Sequence, residues 1–330
     1  MKVLVLGGAG YIGSHVAKWL IRAGHLPVVL DNFSTGCLKI ARYGEIVVGD
    51  LGDRELLQRL FSAHCVDAVM HFGALSLVSE SMQHPGRYYQ NNVVSTLNLL
   101  EMMTRHKIQN IIFSSTAATF GNPEQVPIAE THPQRPINPY GASKLMVEAM
   151  LRDFHAAHGL NSVSLRYFNA CGADPEGELG ECHDPETHLI PLILQAASGR
   201  RDSITVFGRD YPTGDGTCVR DYIHVEDLCT AHALALDALI SGDKQGAHAY
   251  NLGNGQGFSV QQVIETAQRV VAEDGFFLTV KEGPRRPGDP ARLVADATRA
   301  KRELGWQPRY SDLETIIRHA WAWEKRLAGL

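Results

Sequence analysis

Apolar and polar positions along the first half of the chain follow two alternating rhythms. Short runs rich in Val, Ile and Leu at Lys2–Leu6, Pro27–Leu30, Glu45–Val48, Ala68–His71, Asn110–Ser114 and Ser162–Arg166 read as strands. Several of these runs are continuously apolar, as expected of strands covered on both faces. Between them, Tyr11–Ala23, Arg54–Ala63, Tyr88–His106 and Pro139–His158 repeat their apolar residues at helical spacing. The last begins with proline, whose missing N–H is no loss in a first helical turn. Strand and helix in alternation predict βαβ units. The expected fold class is therefore α/β, a Rossmann-type doubly wound parallel sheet with a smaller α/β substrate-binding domain.

Beyond Arg166 the regularity fades. The stretch Ala173–Glu186, rich in Gly, Pro, Asp and Glu, reads as a surface loop that opens a second region. Shorter elements follow: a helix from Pro191 to Ser198, strands near Ile204–Phe207 and Ala249–Leu252, and helices near Val260–Ala272 and Leu313–Ala328. The expected division is a dinucleotide-binding domain over 1–168, to which a segment near 219–240 returns, and a substrate-binding domain over 169–330. Function is expected between them. The sequence holds no internal repeat and no low-complexity tract.

Composition narrows the ligands. The 330 residues are 44% hydrophobic and 20% charged, an ordinary globular balance with enough apolar material for a large core. A net charge of -5 without long runs of one sign points away from nucleic acid and anionic membrane surfaces, toward small molecules. Runs such as Val3-Leu4-Val5-Leu6 are strand-length, far short of a membrane span. The first of them leads into a glycine loop instead of a cleavage site, so a cytoplasmic protein is expected. The cysteines Cys37, Cys65, Cys171, Cys182, Cys218 and Cys229 contain no C-x-x-C pair, and neither a disulfide framework nor a structural zinc site is expected. Cys182 adjoins His183, but further ligands are not at usable spacing and no metal is expected there.

The segment Val3-Leu4-Val5-Leu6-Gly7-Gly8-Ala9-Gly10-Tyr11-Ile12-Gly13 reads as a buried strand, a tight turn and the first turn of a helix. Gly7 permits the turn, Gly10 lets main chain approach a pyrophosphate, and Gly13 lets the helix lie close on the sheet. Free N–H groups and the dipole at the helix start favour the anion. Asp31 stands eighteen residues after Gly13, at the end of the next strand, where a carboxylate can accept from an adenosine ribose. It would repel a 2′-phosphate, so NAD is expected over NADP. The alternative is a turn residue beside Asn32.

Tyr140 and Lys144, four positions apart on one helix, share a face. A free phenol titrates near pH ~10, and lowering it by about three units takes ~4 kcal/mol of differential stabilisation. An ammonium beside it, together with a cationic nicotinamide, supplies part of that and favours a phenolate able to take a proton from a substrate hydroxyl. Thr116 lies at the carboxyl end of a strand, where open α/β sheets place ligands, and its hydroxyl is suited to relay that proton. His71, also at a strand end, reads as structural.

Taken together, the glycine loop, Asp50-Leu51, His71-Phe72-Gly73-Ala74, Ser114-Ser115-Thr116 and Tyr140-Gly141-Ala142-Ser143-Lys144 resemble the extended short-chain dehydrogenase/reductase family. The resemblance implies cofactor contacts from Gly7, Gly10, Tyr11, Ile12, Gly13, Asp31, Asn32, Asp50, Leu51, Phe72, Gly73, Ala74, Asn91, Ser114, Tyr140, Lys144 and Phe168, with Tyr140, Lys144 and Thr116 catalytic. In the second half, Leu165-Arg166-Tyr167-Phe168-Asn169, Asp210-Tyr211-Pro212-Thr213, Val219-Arg220-Asp221-Tyr222-Ile223-His224-Val225, Tyr250-Asn251-Leu252-Gly253 and Arg285-Arg286-Pro287-Gly288-Asp289 are similar to members that act on UDP-hexoses at C4. By that resemblance Arg220 and Arg286 take the diphosphate, Phe207 stacks on uracil, Asp289 holds the ribose and Asn169 contacts the diphosphate region. Thr116, Tyr140, His188, Leu189, Tyr222 and Leu293 complete the substrate set. Two arginines, an aromatic face and a carboxylate make chemical sense as a nucleotide clamp. A solvated loop at Arg285-Arg286 and a local Arg220–Asp221 ion pair are the plainer alternatives.

The resemblance implies reversible C4 epimerisation of UDP-glucose and UDP-galactose through a 4-keto intermediate with tightly bound NAD, in a homodimer formed by the helices near Tyr88–His106 and Pro139–His158. Departures bear on range. Ser76 stands where many members have lysine near the cofactor, and His188 where asparagine is frequent. Leu293 occupies the position whose bulk bears on N-acetylated sugars, so an epimerase that also takes UDP-N-acetylhexosamines stays open. A nucleotide-sugar dehydratase would need an acid-base pair after Thr116, where this chain has Ala117 and Ala118. A non-catalytic NAD-sensing protein would have no use for Thr116, Tyr140 and Lys144 together.

Overall fold

The computed structural model describes residues 1–285 and 290–330. Seven strands form the main sheet in the order Ala247–Leu252, Asn161–Tyr167, Asn110–Thr116, Ala68–His71, Lys2–Leu6, Leu26–Asp31 and Glu45–Val48. All six neighbouring pairs run parallel. The chain builds outward from Lys2–Leu6 in one direction and then returns to build outward from its other side at Ala68–His71. A crevice opens at the carboxyl ends of the strands where the order reverses.

The unbroken apolar runs follow from burial on both faces. Val3, Val5, Met70, Ile112 and Val163 pack with Val16 and Leu20 of the helix Tyr11–Arg22 and with Leu228, Ala235 and Leu239 of the helix Val225–Ile240. Leu4, Leu6, Val69, Ile111 and Phe113 pack on the other face with residues of Arg54–Ala63, Ser95–Arg105 and Pro139–His158, among them Leu57, Leu99, Met103, Val147 and Leu151. Alternate side chains of each strand thus feed two separate cores.

A smaller lobe rests on the carboxyl ends of the sheet. Asn169–Cys171 pairs with Val219–His224, which also pairs with Gly257–Ser259 and Arg292–Leu293. Ile204–Phe207 pairs with Val280–Gly283. The helices Leu189–Ala197, Val260–Ala272 and Leu313–Ala328 close a third core around Ile193, Val263, Val270, Ile317 and Trp321.

Three of the differences from the sequence expectation bear on the site and its surroundings. The helix expected over Tyr88–His106 is a short helix at Pro85–Tyr88, a π-helical turn at Tyr89–Val94 and a regular helix at Ser95–Arg105. The cause is Asn92, whose carboxamide accepts from Leu75 N at 2.9 Å and donates to Leu75 O at 3.0 Å and Ser143 Oγ at 3.0 Å. Satisfying that loop widens the turn by one residue. The strand at Asn110 extends through Thr116, whose Oγ1 accepts from Ala118 N at 3.1 Å and caps the tight turn Ala117–Phe120. The helix Val225–Ile240 escapes a periodicity reading because it is buried around most of its circumference, including Asp227 and His232. Among the described residues, no helix is long and apolar enough to cross a membrane.

Candidate active site

The glycine loop is as tight as its sequence demands. Gly7 has φ +73°, and a Cβ there would stand 2.6 Å from Gly73 N, so the ends of two adjacent strands touch where a side chain has no room. A Cβ at Gly13 would stand 2.3 Å from the Gly7 carbonyl oxygen, because the first helical turn lies directly against the loop. Gly10 occupies the N-cap, leaving the helix start open to an anion. Asp31 has two tasks. Its Oδ2 accepts from Ala9 N at 2.9 Å and its Oδ1 from Phe33 N at 2.8 Å, fixing the loop, while its side chain faces the cleft with acceptor capacity to spare. Asn32 Nδ2 donates to Asp50 Oδ2 at 2.7 Å, which ties the next strand end to the same edge.

Each residue expected to contact the cofactor lines one continuous cleft at the topological switch point, as do Thr116, Asn169, His188, Leu189 and Tyr222 from the substrate set. The π-helical turn explains Asn91, which it turns toward the cleft while Asn92 is spent on Leu75 and Ser143. Phe207, Arg220 and Leu293 do not line this cleft. Arg220 precedes Tyr222 by two positions on one strand and so shares its face, and Tyr222 stands opposite Asn169. Leu293 pairs with Arg220 in register and packs, with Phe168, against Ala117, Phe120 and Ile128. Phe207 ends its strand opposite Gly283. Arg286 and Asp289 lie outside the described residues.

Tyr140 reaches Thr116 because the helix start is held from two sides. Asn138 Oδ1 accepts from Gly141 N at 2.8 Å as the N-cap, and Gly141 lies so close to the turn after Thr116 that a Cβ would stand 2.4 Å from Ala118 O. Burial pushes the Tyr140 phenol above its ordinary value, and a hydrogen bond with Thr116 pulls partly back. Lys144 is buried beside it, its Nζ donating to Ser114 O at 2.8 Å and lying 4.8 Å from the Phe113 ring centre. Burial lowers its ammonium to about 7, while Glu148 pulls the other way. Burial, not Lys144, therefore sets the direction of the Tyr140 shift in the protein by itself.

One part of this site escaped the sequence reading. Glu148 Oε1 accepts from Ser115 Oγ at 2.6 Å and from Arg166 Nε at 2.9 Å, and its Oε2 accepts from Arg166 Nη2 at 2.6 Å. This buried bidentate pair fixes the helix to the two strands beneath the site. The available signal was spacing, since Tyr140, Lys144 and Glu148 recur at four-residue intervals on one helical face. His71 is buried with Nε2 2.9 Å from Thr96 Oγ1, and burial lowers it to about 3.

At the outer edge of the cleft, His183 and His188 line the same space as Leu189, Ile190 and Pro191. His188 pairs with Glu181, which raises the imidazole to about 9. Burial favours the neutral acid at Glu181, but His188 and His183 outweigh it and hold the carboxyl at about 2.

Residues 4–319 match the protein-family model described as GDP-mannose 4,6 dehydratase. The UDP-glucose 4-epimerase of Halalkalibacterium halodurans is 49% identical to this chain, covering 98% of it and 96% of the relative. The crystal structure of UDP-glucose 4-epimerase from Brucella ovis in complex with NAD superposes with a TM-score of 0.93 at 49% identity, covering 97% of each chain. That from Bifidobacterium longum in complex with NAD⁺ and UDP superposes with a TM-score of 0.93 at 38% identity over 100% of both.

Proposed function

Since the chain belongs to the UDP-glucose 4-epimerase family of extended short-chain dehydrogenases/reductases, we propose that it interconverts UDP-glucose and UDP-galactose by reversible epimerisation at C4. The observation that carries this reading is the meeting of Thr116, Tyr140 and Lys144 in the cleft that the glycine loop closes at its other end.

The residues fit NAD. The close approaches at Gly7 and Gly13 leave main chain where a pyrophosphate needs it, and Asp31 offers free acceptor positions to a ribose diol. When bound, NAD supplies the oxidant that accepts hydride from C4 and returns it. Tyr140 takes the proton of the 4-hydroxyl and gives one back to the 4-keto sugar, and Thr116, hydrogen-bonded to the phenol, relays it. Lys144 holds positive charge against the phenolate as it forms, and Glu148 offsets part of the burial that favours its neutral amine. On the substrate side, Arg220 and Arg286 hold the diphosphate with Asn169 beside it, Phe207 the uracil and Asp289 the ribose, with His188, Leu189 and Tyr222 nearer the sugar. The grip falls on UDP, which leaves the hexose free to turn over between the two hydride steps.

The family model carries the name of a dehydratase. Elimination of water needs an acid and a base beside Thr116, and the following positions are Ala117 and Ala118, neither of which can supply one. The protein is proposed to work as a homodimer. Exposed Val94, Leu97 and Met146 on the adjoining helices support that assembly.

The test is direct. Purified protein incubated with UDP-galactose, without added NAD, is expected to form UDP-glucose, read by a coupled UDP-glucose dehydrogenase assay. A C4-deuterated substrate is expected to keep its label. No product even after NAD is supplied would sink the assignment, and loss of label to water would rule out direct return of hydride.

A further inference from the structure

A second chemically distinctive group lies at the outer edge of the cleft. Glu181, His183, Glu186 and His188 each present one donor atom, and all four atoms lie within 4.8 Å of one another. His183 Nδ1 is 3.0 Å from Glu181 Oε1 and 3.8 Å from Glu186 Oε2, His188 Nδ1 is 3.7 Å from Glu186 Oε1, and His188 also contacts Glu181. Four donors around one ion at ~2.0–2.1 Å in a tetrahedron stand about 3.4 Å apart. The separations in the protein bracket that value.

Charge sets this group apart from the other acidic cluster. Asp174, Glu176 and Glu178 converge too, but Lys18 Nζ sits among them at 2.5, 3.1 and 2.8 Å, so their cation is built into the chain. The side chains of Glu181 and Glu186 are each only 4% exposed, and among the described residues their ion-pair partners are the two histidines alone. Two neighbouring carboxylates removed from water demand positive charge. Two imidazoles can meet that demand with protons, or a metal can meet it with the imidazoles neutral.

We propose that Glu181, His183, Glu186 and His188 form a site for one divalent cation of the Zn²⁺ type. Two imidazole nitrogens and two carboxylate oxygens suit a borderline ion, where Mg²⁺ or Ca²⁺ would require more oxygen donors. The support around the site is already fixed. Trp323 Nε1 donates to Glu181 O at 2.8 Å, and the Glu186 carboxylate also accepts from the main-chain N–H groups of Thr187 at 2.7 Å and His188 at 2.8 Å. An ion here ties 181–188 to the start of the helix Leu189–Ala197 at the outer edge of the cleft. The site is independent of the proposed redox chemistry and stands whether or not the chain epimerises UDP-hexoses.

The experiment uses the full chain with its cofactor, treated with a chelator, dialysed and titrated with ZnCl₂ in a calorimeter. One Zn²⁺ per chain is expected, with at least tenfold weaker binding in Glu181→Gln and His183→Ala. Absence of saturable one-to-one binding, or equal binding in both variants, overturns the proposal. Because either variant can fail to fold, the wild-type protein is also titrated with CoCl₂. Intense visible absorption of four-coordinate Co²⁺, displaced by one equivalent of Zn²⁺, is expected. The weak spectrum of a six-coordinate ion overturns it.

Discussion

Tyr140 and Lys144 meet burial in opposite senses, because a neutral phenol and a neutral amine are what a dry site prefers. The pair gains its catalytic sense when a substrate hydroxyl and a positive ring enter the same space. Tyr140→Phe is expected to lower kcat for UDP-galactose by about 10²–10⁴-fold, the usual worth of a positioned acid-base group, with co-purifying NAD unchanged. A loss below tenfold in the coupled assay would remove Tyr140 from the proton step. Lys144 makes a further prediction about stability. Its folded value of about 7 lies below the ordinary 10.5, so between those values the unfolded chain binds a proton that the folded chain does not. This group therefore makes stability rise with pH across that window, with its burial cost present in full below it. In cofactor-stripped protein, Lys144→Met is expected to gain on the wild type most near neutral pH, and the gap in melting temperature to close toward pH ~10. A gap independent of pH would mean that Lys144 titrates normally.

Elements act here by how closely they approach one another. Gly13 sits where the first helix meets the glycine loop, and the atom that a Cβ would strike is main chain, which moves only with the loop itself. Gly13→Ala is therefore expected to lose most of its co-purifying NAD, measured by chromatography of the denatured protein, and an unchanged cofactor content would count against this account. The π-helical turn at Tyr89–Val94 is governed by Asn92. Asn92→Ala leaves the Leu75 N–H and C=O without their side-chain partner and is expected to cost about 1–3 kcal/mol in urea denaturation. It is also expected to lower the amount of co-purifying NAD, since Asn91 would no longer be turned into the cleft. Neither feature is visible in the apolar spacing of that stretch, which reads as one regular helix. The departure comes from a partner, Leu75, on another segment.

For the whole molecule, the cleft follows from topology. Outward growth of the sheet from one strand in two directions leaves a crevice at the carboxyl ends, and the smaller lobe places Asn169, Tyr222, His188 and Leu189 against it. Elsewhere on the surface, Val94, Leu97 and Met146 are exposed on adjoining helices. If these side chains form the proposed dimer interface, the Leu97→Glu, Met146→Glu double variant is expected to elute as a monomer by light scattering with its cofactor retained. Persistence of the dimer would place the interface elsewhere.

The sequence by itself determined whatever depends on short spacing. The central strands of the main sheet announce themselves as apolar runs because both their faces are buried, the glycine loop because close main-chain approach excludes side chains, and Tyr140 with Lys144 because four residues make one helical face. Tertiary structure decided what depends on the path of the chain between distant segments. It added Ala247–Leu252 to the edge of the main sheet, joined Glu148 to Arg166 and Ser115 beneath the site, and seated Asn169 opposite Tyr222. It also gathered His183 with Glu181, Glu186 and His188, whereas the sequence offered only the neighbouring Cys182 as a companion. A loop without periodicity carries no record of its own curvature in the residues that compose it, and only the packing of Trp323 and the following helix fixes where its side chains converge.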